Sequence, residues 1–207
     1  MSEIQIGRLM RSSLTGFVVG CRVPQVEGIS LGALARVPLE NDYHIYGMIH
    51  DIRIEDDGLV RQLVTAENID ASVFADNRVN RVTPLEISLL AVGYHQGGRV
   101  SHLLPPRPPL SLDVIYLCGA EELRLFTAAG RFGYFRHILR AVDLPVGELL
   151  AAHLQQAHAA HCQAGDADWS NRATQELITL LRDDYAALMG VLSALGDAGL
   201  ETEGVGR

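Results

Sequence analysis

The chain has 207 residues, 48% of them hydrophobic and 20% charged, enough to bury a core of its own and too apolar for intrinsic disorder. Its formal charge of −8 argues against a free-standing DNA-binding domain, which needs a basic face. It contains no lysine, which excludes chemistry built on a lysine amine: P-loop nucleotide binding, Schiff-base catalysis and protein-kinase phosphoryl transfer.

From Ile4 to about Phe126 the text reads as short strands separated by turn residues. Phe17 to Val23 is apolar and β-branched and is closed by Pro24. Gly28-Ile29-Ser30-Leu31-Gly32 spells the G-x-S-x-G of a nucleophile elbow, but that motif needs a strand leading into the serine and a full helix after it. Pro24 breaks the first and Pro38 the second, so a loop before the short strand Leu34 to Val37 is expected, and Ser30 is not read as catalytic. Tyr43 to Ile52 puts Ile45, Gly47 and Ile49 on one face and Tyr46 and Met48 on the other. This is a strand buried on both sides, with the glycine marking a bulge. The acidic run Asp51, Glu55, Asp56, Asp57 reads as a solvated turn rather than a cation site.

Thr83-Pro84-Leu85-Glu86 matches a capping box, yet Ile87 to Tyr94 lacks polar residues at helical spacing. A hairpin is expected instead: Glu86 to Tyr94, a loop at Gln96-Gly97-Gly98, then Arg99 to Leu103. Pro105-Pro106-Arg107-Pro108-Pro109 could serve as a polyproline II ligand. Its place between two strand signals, the second being Val114 to Cys118, favours a stiff crossing from one sheet edge to another.

After Gly133 the pattern becomes helical: Tyr134 to Val142, then Pro145 to Gln163, then a longer helix capped by Asp168 or Ser170 and ending near Leu195. Along the last, Leu177, Leu181, Leu188, Leu192 and Leu195 form an apolar stripe, expected to cover the neighbouring helices, the barrel or a second subunit. Asp183-Asp184 and Glu121-Glu122 read as polar helix or loop faces.

No catalytic constellation and no cofactor motif is found; G-x-G-x-x-G does not occur. His153, His158, His161 and Cys162 lie close together in sequence, and His158 shares a helix face with His161 and with Cys162. One cysteine in alanine-rich surroundings makes an amphipathic helix the preferred reading, with His158, His161 and Cys162 kept as weak metal candidates. Cys21, Cys118 and Cys162 are widely spaced, as free thiols in a reducing compartment would be. With no signal pattern and no apolar run of the ~20 residues a membrane span requires, a cytoplasmic location is expected.

Ile6-Gly7-Arg8, a strand, Tyr46-Gly47-Met48-Ile49, a proline-rich crossing into Val114-Ile115-Tyr116-Leu117, and then Glu121-Glu122-Leu123 together resemble a HAS-barrel. That is the small β-barrel of HerA-type DNA translocases, related to the barrel of rotary ATP synthase catalytic subunits. The resemblance covers about residues 4–140 and implies an α+β chain: a barrel-like β domain over 1–130, a helical segment over 131–197 and a flexible tail over 198–207. HerA-type subunits meet partly through their barrels. The chain departs from them in having no Walker motif, so ATP binding is not expected. The resemblance implies a non-enzymatic assembly module that self-associates or docks on a HerA-type ATPase ring and its nuclease in DNA processing. Two rivals stay open: a small enzyme or ligand-binding barrel with its site at the barrel mouth or the helical histidines, and a peptide- or nucleic-acid-binding barrel.

Overall fold

The computed structural model describes residues 4–21, 28–54, 65, 70–73 and 85–200. The Glu55 to Gly58 turn, Pro24, Thr83-Pro84 and the end of the chain from Glu201 lie outside the described residues.

Seven strands are seen: β1 (Ile4–Ser12), β2 (Gly16–Cys21), β3 (Leu34–Leu39), β4 (Tyr43–Ile54), β5 (Leu85–Gln96), β6 (Arg99–Ser101) and β7 (Val114–Leu117). Every pairing is antiparallel, in the order β2-β1-β7-β3-β4-β5-β6. A further pairing of β2 with β5, from Gly16↔Leu90 to Cys21↔Leu85, closes six of the strands into a barrel and leaves β6 as a short hairpin arm on β5. Closure removes free sheet edges, which would otherwise invite pairing with other chains.

The barrel interior is dry and full. Ile6, Leu9, Phe17, Val19, Ala35, Val37, Ile45, Ile49, Ile87, Leu89 and Ile115 belong to one buried cluster. Six strands enclose too little space for anything but side chains. β4 carries the two-faced burial its alternation implies: Ile45 and Ile49 join the interior cluster, while Tyr46 and Met48 join a second core shared with the helices. Register shifts bracket Gly47, between Tyr46 and Gly47 and again between Ile49 and Asp51. The missing side chain at Gly47 makes room for a ring, since a Cβ there would stand 2.4 Å from Phe17 Cζ.

The helices follow as α1 (Ala120–Ala128), a 3-10 turn (Gly130–Phe132), α2 (Phe135–Leu139), α3 (Val146–Gln163), α4 (Trp169–Leu181) and α5 (Tyr185–Asp197). α1 lies inside the stretch that reads as strands, so helix begins before the 130/131 division expected from sequence. The second core packs Leu123 and Phe126 of α1, Tyr134, Phe135 and Ile138 around α2, and Leu149, Leu150 and Leu154 of α3 against Leu34, Tyr46, Met48 and Val92 of the barrel wall. Burying each such side chain contributes about 1.5–3 kcal/mol, so the helices are held to the barrel by a core, not a linker.

The single long helix expected from Asp168 to Leu195 is two helices. Arg182-Asp183-Asp184 interrupts it, and Asp184 leaves helical geometry (φ −126°, ψ 84°) to accept a hydrogen bond from the Ala187 amide at 3.0 Å. Aspartate is a weak helix former and a strong N-cap, which accounts for the break. The leucine stripe is spent inside the chain: Leu177, Leu181 and Leu195 are buried in the second core, and Leu188 and Leu192 pack on it. Residues 198–200 of the expected tail are packed too, with Leu200 buried and its amide bonded to the Leu195 carbonyl at 2.9 Å. No described helix is long and apolar enough to cross a membrane.

Candidate functional site

Because the interior is filled, functional groups have to lie outside it. The outer wall of β3 and β4, next to α1, carries a row of polar side chains. Arg36 on β3 pairs with Glu122 on α1 (Nε–Oε2 3.0 Å), and its guanidinium stacks 5.6 Å from the centre of the Tyr116 ring. Tyr46, cross-strand from Arg36, has its hydroxyl pushed up by burial and by the Glu122 charge. Burial and the same carboxylate raise the Cys118 thiol. The Arg36–Glu122 pair thus ties barrel to helix at a partly dry junction, where a charge-assisted bond is stronger than at an open surface.

Beyond Glu122 the row continues to His44, His95 and Asp42. His44 on β4 and His95 on β5 are direct cross-strand partners, with rings stacked 5.5 Å apart at 22°. Asp42 ends the turn Glu40-Asn41-Asp42, where Asn41 and Asp42 hold φ 60° and 55°, a left-handed geometry that Asn and Asp tolerate best. Its Oδ1 stands 3.5 Å from His44 Nε2 and 3.8 Å from His95 Nδ1. His44 sits below its ordinary pKa, first through burial and then through Arg36. The three border a cleft of about 600 Å³ whose other walls include Tyr46, Arg99, Glu122 and Leu125.

This grouping escapes a reading of the sequence. His44 stands two residues after the Asp42 turn and His95 two before Gly97-Gly98, but only the long-range pairing of β4 with β5 makes them neighbours. The acids at Glu121-Glu122 read as a polar face, and Glu122 proves to be the partner of Arg36.

The helical histidines are dispersed. His161 turns inward, stacked on Trp169 with ring centres 4.6 Å apart. Its Nε2 meets Thr127 Oγ1 at 2.8 Å and its Nδ1 faces Asp166 at 3.5 Å. His158 and Cys162 stay on the outside as a pair, Sγ–Nε2 3.4 Å. His153 is fully buried as a peg between helix and barrel: Nδ1–H donates to the Gly32 carbonyl (2.8 Å) and Nε2 accepts from the Tyr134 hydroxyl (3.2 Å). Burial depresses His153 to about 4. His102, buried against Phe126 and Tyr134, is likewise held to about 4 by burial. Among the described residues, His158, His161 and Cys162 do not converge on one point.

Ser30 is an exposed loop residue ahead of β3, within 3.5 Å of Gln156 Nε2. Gly32 (φ 77°) lies against the α3 backbone, where a Cβ would come within 2.5 Å of the His153 nitrogen. The two glycines and the serine therefore form a docking loop for α3, with no strand-to-helix elbow.

The proline stretch is a crossing from β6 to β7, pinned along the free part of β1. Ser12 Oγ donates to the Pro109 carbonyl (2.6 Å), Leu112 N to the Leu9 carbonyl (2.8 Å) and Ser111 Oγ to the Met10 carbonyl (3.3 Å). Arg107 stands 6.0 Å over the Tyr43 ring. This crossing leaves an apolar edge in solvent: Met10, at a register shift of β1, is 43% exposed, Leu110 72% and Leu112 70%. Leu112 also holds φ 74°, a conformation that leucine rarely adopts. No family model matches the chain, and no curated protein is similar to it.

Proposed function

We propose that the chain is a non-catalytic assembly module that docks side by side on another barrel, in the setting of a HerA-type DNA translocase and its nuclease. The observation that carries this reading is the apolar edge of Met10, Leu110 and Leu112 on a barrel whose interior is full. Scattered exposed leucines are ordinary; three hydrogen-bonded into one strip along a strand and its neighbour are a contact surface. The closed antiparallel barrel with attached helices supports the setting, since it is the architecture the HAS-barrel resemblance implies. The leucine stripe of α4 and α5 lends no support, because the chain covers it itself.

The test is light scattering of the purified chain at micromolar concentration, alone and mixed with a HerA-type ATPase. Association that is abolished by Leu110→Glu with Leu112→Glu is the expected result. A particle of 22.5 kDa that stays alone in both conditions counts against the reading. A second reading, a ligand-binding barrel with its site at the barrel mouth, is favoured by the cleft beside His44, His95 and Glu122.

A further inference from the structure

We propose that Asp42, His44 and His95 form a binding site for a divalent transition-metal ion of the zinc class. The inference is independent of the assembly reading. Its basis is the donor set and its spacing. Asp42 Oδ1, His44 Nε2 and His95 Nδ1 all lie within 4.8 Å of one another, the only such group of His, Cys, Asp or Glu among the described residues. A tetrahedral ion with bonds of ~2.0–2.1 Å sets its ligands about 3.3 Å apart. The two carboxylate–imidazole separations, 3.5 and 3.8 Å, are already within half an ångström of that. The third edge, between the rings, closes by rotation of the imidazoles about their side-chain bonds, with no movement of the strands.

The framework is stiff where it needs to be. His44 and His95 are neighbours in the β4–β5 ladder, and Asp42 is set by a tight turn rather than a long loop. None of the three serves the core: the carboxylate is 60% exposed, and both rings line the cleft. The nearest cation, Arg36, has its charge answered by Glu122 at 3.0 Å, so the locality does not repel a metal.

Two imidazoles and one carboxylate favour zinc, cobalt, nickel or copper over calcium or magnesium, which prefer all-oxygen sets. Three protein ligands leave at least one position, and here it faces the cleft walled by Tyr46 and Glu122, where water or a small anionic ligand would complete the sphere. His44 Nδ1 is buried without a hydrogen-bond partner. No acceptor therefore supports that ring from behind, and binding will be weaker than at a closed structural zinc site.

The experiment titrates the metal-free full-length chain with Zn²⁺ alone by calorimetry, and with Co²⁺ alone by visible absorption. One equivalent is expected to bind, with a cobalt spectrum of nitrogen and oxygen ligation free of a thiolate charge-transfer band, and with no displacement by excess Mg²⁺. His44→Ala and His95→Ala should each weaken binding by more than about 100-fold, and Asp42→Asn by about 10-fold, against a 10- to 100-fold cost for outer-shell groups. Cys162→Ser should change nothing. Absence of uptake, uptake unchanged in both histidine variants, or uptake lost with Cys162→Ser would each overturn the site. If a histidine variant fails to fold, the imidazole NMR signals of His44 and His95 in the unaltered chain give the answer: they must shift on Zn²⁺ addition, and their indifference refutes the proposal.

Discussion

Gly47 offers a direct measure of how full the barrel is. A Cβ added there would stand 2.4 Å from Phe17 Cζ, 2.9 Å from Phe17 Cε2 and 3.1 Å from Leu89 Cβ. The shortest of these is about 1 Å inside the ~3.5 Å at which carbon atoms rest. Phe17 is 3% exposed and Leu89 1%, so neither has open space to retreat into. Overpacking of this kind costs about 1–3 kcal/mol, offset in part by alanine's smaller entropy loss in a strand. Gly47→Ala should therefore lower stability by about 1–2 kcal/mol, read as a shift of the urea midpoint followed by circular dichroism. Phe17→Leu should cost a similar amount by leaving a void. The two changes together should cost less than their sum by at least about 0.5 kcal/mol, because leucine vacates the space the new methyl needs. Strict additivity, or a neutral Gly47→Ala, would refute the claim that ring and glycine share one packed site.

Acid should weaken the fold through the two buried neutral histidines. His153 and His102 are both held to about 4 against an unfolded value near 6.5. The unfolded chain then binds more protons between those limits, so stability is full above pH ~6.5 and lost as pH falls towards 4, by about 3 kcal/mol for each residue. Urea midpoints measured down that range should fall, and the decline should shrink in His153→Gln. Leu112→Gly should raise monomer stability by about 0.5–1 kcal/mol, since it relieves a left-handed leucine at no cost in burial. The same variant should weaken any self-association seen by light scattering, and a fall in its urea midpoint would contradict the first half. Asp184→Ala should cost about 1 kcal/mol through loss of the α5 cap, visible in the thermal midpoint.

The barrel was legible because strand alternation is a local signal, and β4 shows it most clearly: Ile45 and Ile49 in, Tyr46 and Met48 out. The β5–β6 hairpin was legible from Gly97-Gly98. The break between α4 and α5 was missed because the leucine spacing runs on smoothly through it, while Asp184 stops the helix by capping. α1 was missed because Leu123-Arg124-Leu125-Phe126 alternates as a strand would, and only its docking on Tyr46 makes it a helix. The Asp42–His44–His95 group lies beyond any local reading. It depends on a pairing between strands that are separated by residues 55–84 in the chain, and on a turn geometry at Asp42 that the letters alone do not specify.

The β1–β7 pairing joins Ile4–Arg8 to Val114–Leu117, nearly the whole length of the barrel sequence apart. A chain emerging from the ribosome carries β1 for about a hundred residues before its second neighbour exists. At ~5–20 residues per second that is roughly 5–20 s in which one hydrogen-bonding edge of β1 is open to any other extended segment nearby. The strip later occupied by β7 and the proline crossing is therefore where a nascent-chain chaperone would be needed first, and where crowding of neighbouring ribosomes would do most harm. Slowing synthesis downstream of residue 117 should raise the soluble yield, and slowing it upstream should lower it.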